Sequence, residues 1–505
     1  MEDIMANNLK LAEIFQDHMM FQADAPIRIF GSCETNTTIT VTVFNKTFDF
    51  NFDGTTFLIE LPAFDFTLES FDITIQSKED SIVIQDCIFG DLFIASGQSN
   101  MQFTMKESLD EPIEDNPLIR FYEVPKLPYV DAHIEFPYFY SSNPHWFSCT
   151  KAEVKNFSAV GYFVATSLFE QLKRPIGIIS CNMGDTSVFS WIDKASLFDQ
   201  ESLKPYLDFY QNEIDKYRSV EEYNERYHIQ LPRLMEFYGQ IDKGIKEGLS
   251  SDKAHEMAFK YYPDPYIPMG PKHYNRPSGC FDMMVQKVVP LSIKAALYYQ
   301  GESDHQNKDL YEVAFKTMIQ SWRKSFKNPK LPFVYVQVAN YLYPGTINHP
   351  IAEVRDAQTR CMNPKDLIYM VSAIDLGEAN NIHPKDKKVV SKRISNILLE
   401  YLYQKGSYSL SPQFDTYFIK NQLIEIHTKN NDLPLISKSQ QNHGFYAFTD
   451  DSTLIEINDV KIRDKTINIP YLPSYKVISY GFTSNPVIDI YSKNDLPLLP
   501  FKIKL

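Results

Sequence analysis

The sequence predicts an α/β protein in which a parallel sheet is flanked by β-rich units and interrupted by a helical insertion. Three observations predict it. Short β-type segments punctuated by Gly, Asn and Asp fill Leu11 to Ile88, strands alternate with helical patterns after Gly90, and β-type segments return from about Lys405. At 505 residues the chain exceeds what one ordinary core organises, so two to four domains are expected, and the patterns along the chain mark three units. They are a β-sandwich-like unit over 1–88, an α/β unit over 89–404 with a helical insertion near 193–274, and a β-rich unit over 405–505.

In the first unit the strands are Pro26 to Phe30, Thr38 to Phe44, Phe57 to Leu61 and Phe71 to Ile75. The α/β unit begins with the apolar run Gly90 to Ala95. Ser158 to Lys173 then places Val160, Phe163, Val164, Leu168 and Leu172 on one helical face, and Pro175 stops it before the strand Ile176 to Ile179. Ala295 to Tyr299 is a third strand. A helix from Tyr311 to Phe326 buries Phe315, Met318, Ile319 and Trp322, and the strands Phe333 to Val338 and Leu367 to Ile374 follow. The insertion shows helical periodicity over Leu203 to Tyr217 and Leu231 to Gly248. Thr453 to Ile457 and Tyr475 to Phe482 are strands of the last unit.

A net charge of −14 speaks against a nucleic-acid or anionic-membrane partner, both of which need a basic face. Cys33, Cys87, Cys149, Cys181, Cys280 and Cys361 lack metal-type spacing and are expected to be mostly buried thiols. Met1 to Phe15 carries no run resembling a signal peptide and no segment approaches a membrane span. The expectation is a cytoplasmic protein, or a secreted or periplasmic one if a leader has been removed.

In an open parallel sheet the ligand lies beyond the carboxyl ends of the strands. Four strand ends carry polar clusters. The first gives Ser96-Gly97-Gln98-Ser99-Asn100-Met101, with Ser99 placed to aim its hydroxyl off the sheet edge. The second gives Ser180 to Thr186, where Gly184 lets a backbone N–H approach a carbonyl oxygen. The third gives Gln300-Gly301-Glu302-Ser303-Asp304, an amide donor and a carboxylate. The fourth gives Asp375-Leu376-Gly377 and Asn380 to Pro384, with His383 expected at the start of a helix Pro384 to Tyr403 whose N-terminus keeps the imidazole neutral. Singly, each is an ordinary turn or cap residue. Their succession at four strand ends gives a serine nucleophile what it needs: a neutral base and donors for an oxyanion.

The nucleophile elbow of the α/β-hydrolases requires Gly two residues after the serine, and Met101 stands there. The chain instead resembles the SGNH-type hydrolases and, within them, the sialate O-acetylesterase family. The resemblance rests on HMMFQADAPIRIFG within Leu11 to Gly31, GDLFIASGQSNM (Gly90 to Met101), GIISCNMGDTSVFSWI (Gly177 to Ile192), PSGCFDMMVQ (Pro277 to Gln286) and IKAALYYQGESD (Ile293 to Asp304). It continues through LPFVYVQVANY (Leu331 to Tyr341), AEVRDAQ (Ala352 to Gln358), IDLGEANNIHPKDK (Ile374 to Lys387) and NDLPLLPF (Asn494 to Phe501). It implies an SGNH-hydrolase-like, flavodoxin-like sheet and removal of O-acetyl groups from a sugar, first of all a sialic acid, without metal or organic cofactor. The alternatives are an esterase for xylan- or pectin-type sugars, or a carbohydrate-binding protein without activity. The partner implied is an O-acetylated glycan; the oligomeric state is left open.

The resemblance also implies roles: Ser99 as nucleophile, His383 as base, and the amides of Ser99 and Gly184 with the Gln300 side chain as oxyanion hole. Glu302 and Arg355 match positions near the substrate, Arg355 being the expected partner of a sialate carboxylate. Two departures stand out. Asn380 and Asn381 occupy places where relatives carry Asp, which leaves Asp375 as a more distant orienting acid, and Asp185 replaces a glycine beside the expected oxyanion hole.

Overall fold

The computed structural model describes residues 8–109, 112–135, 144–249, 251–343, 350–439, 443–450 and 453–505, so the segment Met1 to Phe15 lies partly outside the described residues. Seven strands form the central sheet in the order Trp146–Cys149, Asn116–Glu123, Ile176–Asn182, Ser81–Gly97, Ala295–Tyr299, Phe333–Gln337 and Ile368–Ser372. All pairs from Asn116–Glu123 to Ile368–Ser372 are parallel, and Trp146–Cys149 closes one edge antiparallel. Numbered along the chain from Ser81–Gly97 and leaving out the two edge strands, the order is 2-1-3-4-5. That order is flavodoxin-like, with its switch point at the strand that ends in Gly97.

Both faces of this sheet are covered, as an all-parallel sheet requires. Leu92 and Ile94 enter one apolar core with Phe315, Ile319, Trp322 and Val354. Phe93 and Ala95 enter the other with Val160, Val164, Leu168, Ile394 and Leu398. The helices responsible are Lys308–Ser325 and Ile351–Cys361 on the first face, Ala159–Leu172 and Lys388–Tyr403 on the second. The Ser158 Oγ accepts from the Gly161 amide to cap its helix and donates to the Met101 carbonyl at 2.6 Å, fixing that helix to the serine turn.

The boundary expected at residue 88 falls inside the single strand Ser81–Gly97. Its first half alternates exposed and buried residues within an antiparallel sheet with Phe71–Gln76, Thr37–Val43 and Lys46–Phe52; its second half is buried throughout. Ile39, Val41, Ile73 and Ile75 share the core of Leu92 and Trp322, so the N-terminal strands and the central sheet form one packed body. The last unit has its own core, built from Ile424, Phe445, Ile467, Ile478, Tyr480 and Phe501. The insertion holds the helices Lys204–Ile214, Val220–Lys246 and Ser251–Tyr261; the middle one begins well before Leu231 and runs through Pro232. The six cysteines are buried free thiols. Among the described residues, no helix is long and apolar enough to cross a membrane.

Candidate active site

The strand Ser81–Gly97 can end at a serine turn because Gly97 has φ +128°, and a Cβ there would meet the Tyr299 carbonyl oxygen at 2.2 Å. Gln98 then hydrogen-bonds that oxygen through its amide, and the one-turn helix Ser99–Gln102 follows. As first residue of the turn, Ser99 has an amide without an intrahelical acceptor. Ser99, Gly184, Glu302 and His383 all line one cavity of about 730 Å³. Four of the seven expected site residues are thus brought together from four strand ends.

Gly184 lies against Ser99: a Cβ on it would stand 3.6 Å from the Ser99 Cβ. Its amide donates to the Gln102 Oε1 at 2.7 Å. Gln300, expected as the third oxyanion donor, is turned away. It is 1% exposed and its amide donates to the Thr186 carbonyl at 3.0 Å and to Asp304 at 2.5 Å, bracing the Gly184 loop from behind. Gln98, like Gln102, is a side-chain amide that does line the cavity. Its Oε1 accepts from the amides of Gly301 and Ser303 at 3.2 and 3.4 Å, which orients the Nε2 donor away from them. The sequence placed Gln98 in the right motif without assigning it work.

His383 is held by its backbone rather than by its ring. Its amide donates to the Asn381 Oδ1 at 3.1 Å, and the Asn381 Nδ2 donates to Glu378. The asparagine standing where an acid was expected therefore shapes the loop. Neither ring nitrogen of His383 has a hydrogen-bond partner among the described residues, and the Phe103 ring lies 6.2 Å from it, centroid to centroid. Asp375 is engaged elsewhere, in a two-pronged pair with Arg393 at 2.7 and 2.8 Å, so the expectation that it orients His383 is corrected. The helix also begins at Lys388, not Pro384, because the Asp386 carboxylate accepts from the Lys388 and Val389 amides and starts it there. The imidazole is kept neutral by other means than the helix end.

Burial, and then the neighbouring Lys387 ammonium, push the His383 imidazole down to about 4. Lys387 is itself buried; its Nζ donates to the Asn100 Oδ1 at 2.6 Å and lies over the Phe103 ring. The Asn100 Nδ2 in turn donates to Glu302 Oε1 at 2.6 Å and to the Ile382 carbonyl at 3.2 Å. Asn100 thus pins the serine turn to the histidine loop and separates a buried cation from a buried carboxylate. A base of this kind is neutral above its depressed value and protonated below it. The kcat/KM of ester hydrolysis should therefore stay level from neutral pH down to about 5 and fall only as pH drops through about 4. A pH–rate profile with its acid limb at the ordinary histidine value, about 6.5, would contradict this.

Arg355, expected against the substrate, is 0% exposed and does not line the cavity. Its guanidinium donates to the carbonyls of Val338, Ala339, Thr483 and Ser484 at 2.7–2.9 Å, tying the end of the fourth strand to the C-terminal unit. The helix Val220–Lys246 and the segment after the insertion helices contribute Leu231, Leu234, Phe237, Tyr238, Tyr266 and Ile267 to the lining, an apolar and aromatic wall. Among the described residues, no group of three or more His, Cys, Asp or Glu side chains is placed to hold a metal ion.

A 2-1-3-4-5 sheet with a serine turn after its first strand and a histidine loop after its fifth defines the SGNH-type hydrolase fold. Over nearly its whole length the chain superposes on a carbohydrate acetylesterase from Xanthomonas citri, with a TM-score of 0.76 at 20% identity, covering 98% of this chain and 99% of that one. Residues 270–394 match the family model described as carbohydrate esterase, sialic acid-specific acetylesterase. The sialate O-acetylesterase of Mus musculus is 25% identical over 346 residues, 64% of this chain and 58% of its own. That of Homo sapiens is 23% identical over 352 residues, 65% and 55% respectively. The chain thus spans less than two thirds of the length of the curated relatives it matches.

Proposed function

We propose that the protein is a carbohydrate O-acetylesterase that works through an acetyl-serine, with O-acetylated sialic acids, the sugars named for its relatives, as the first substrates to assay. The observation that carries the proposal is the convergence of Ser99, Gly184, Gln98 and His383 on one cavity. The Ser99 Oγ attacks the acetyl carbonyl while His383 takes its proton; the amides of Ser99 and Gly184, with the Gln98 side chain, receive the oxyanion as Gln102 gives way. His383 then returns the proton to the departing sugar hydroxyl. Water, deprotonated by His383, releases acetate and restores the serine.

The wide cavity and its aromatic wall support a sugar rather than a small ester, because ring faces pack on aromatic side chains. The test is acetate release from a panel of mono-O-acetylated sugars, sialic acids included, at neutral pH. Release from at least one, faster than from p-nitrophenyl acetate in kcat/KM, is the expected result. Hydrolysis of p-nitrophenyl acetate alone would leave an esterase without carbohydrate specificity.

A further inference from the structure

The cavity is lined by two carboxylates, Asp185 and Glu302, by one lysine, Lys126, and by the imidazoles of His255, His305 and His383, but by no guanidinium. Asp185 follows Gly184 in the wall and is exposed to the cavity. It adopts φ +62°, a left-handed conformation that suits the glycine of the resemblance and that Asp tolerates. Its Oδ2 accepts from the Tyr274 hydroxyl at 2.9 Å, and its Oδ1 lies 3.4 Å from the Ser303 hydroxyl. Glu302, the second carboxylate of the lining, faces Asn100 through Oε1, while its Oε2 has no partner among the described residues.

Every Lys and Arg of the sequence lies among the described residues, and of them only Lys126 lines the cavity, where it pairs with Glu123. The Arg355 guanidinium is consumed by four carbonyls, and Lys387 sits behind Asn100 as the counterpart of Glu302. A sugar carboxylate entering this cavity would meet Asp185 next to the Gly184 donor and find no guanidinium fork to bind it. Recognition of an anionic sugar ordinarily uses such a fork.

We infer that Asp185 is a specificity-determining residue, which makes the cavity select uncharged O-acetylated sugars, or uncharged parts of larger glycans, and discriminate against a free carboxylate on the ring that carries the acetyl group. The inference rests on the esterase proposal above and narrows its substrate class. Asp185 acts twice: it accepts hydroxyl hydrogens, as it does from Tyr274, and it repels like charge, an effect large at short range in a cavity with an apolar wall.

The test compares one sugar with and without its charge. O-acetylated N-acetylneuraminic acid and its methyl ester carry the same acetyl group, so acetate release from the two isolates the carboxylate. The wild type should hydrolyse the methyl ester with a kcat/KM about tenfold higher than the free acid, and Asp185→Asn should close most of that gap. Asp185→Gly, which keeps the left-handed turn without strain, repeats the measurement should the amide variant fold poorly. Equal or faster turnover of the free acid by the wild type would overturn the inference, and so would a gap that survives both substitutions. Absence of serine-dependent hydrolysis of either sugar and of p-nitrophenyl acetate would instead overturn the esterase proposal itself, and the inference with it.

Discussion

Ser99→Ala is expected to lower kcat on every acetyl ester by about 10³- to 10⁶-fold while leaving the thermal midpoint where it was. The side chain lost is one hydroxyl at a half-buried turn whose backbone is fixed by Gly97, by the Gln98–Tyr299 hydrogen bond and by Ser158. Folding does not depend on that hydroxyl; the covalent route does. His383→Ala should cost a similar factor, and the double variant little more than either single one, because nucleophile and base act as a unit. Steady-state acetate release and a melting curve on the three variants check this. Two losses that multiply in the double variant would mean that serine and histidine serve separate steps.

Arg355→Ala is expected to cost roughly 3–5 kcal/mol of stability and to change KM for charged and neutral substrates alike. The reason lies in what the guanidinium touches. Four carbonyls from two units of the chain converge on one buried fork, and alanine would leave all four without that donor beside an empty volume. Lysine does not repair this, since a single ammonium cannot reproduce the planar fork. Urea unfolding measures the loss. A KM rise confined to sialates, at unchanged stability, would instead return Arg355 to the substrate site.

The case of Arg355 shows where a sequence stops informing. Strands such as Ala295–Tyr299 and Phe333–Gln337 are legible because fully buried strands are continuous apolar runs, and the serine, glycine and histidine stand at their ends in order. Residue type does not say which way a polar side chain faces. Gln300, Arg355 and Asp375 have the chemistry of a site, yet each is spent on a carbonyl, a carboxylate or an arginine inside the fold. The strand Asn116–Glu123 escaped notice for a related reason. Its Pro117 and charged Arg120 break the apolar run, and Arg120 becomes acceptable there by pairing with Asp86 of the strand Ser81–Gly97 and donating to the carbonyls of Pro117 and His18. Proline likewise misled at Pro384, where an aspartate two residues later decides the helix start.

Gln98 and Asn100 were in plain view within SGQSNM, but their work depends on partners some 200 or more residues away: Gly301 and Ser303 for one, Glu302, Ile382 and Lys387 for the other. No local pattern announces such partners. Lys387 itself stands within the charged run Lys385 to Lys388, where residue type does not single out the one side chain that turns inward.

The strand Ser81–Gly97 gives the N-terminal sheet a role beyond packaging. A single strand runs from Ser81, in that sheet, to the residue before Gln98, so the turn that carries Ser99 is anchored through one backbone segment to the N-terminal antiparallel strands as well as to the central sheet.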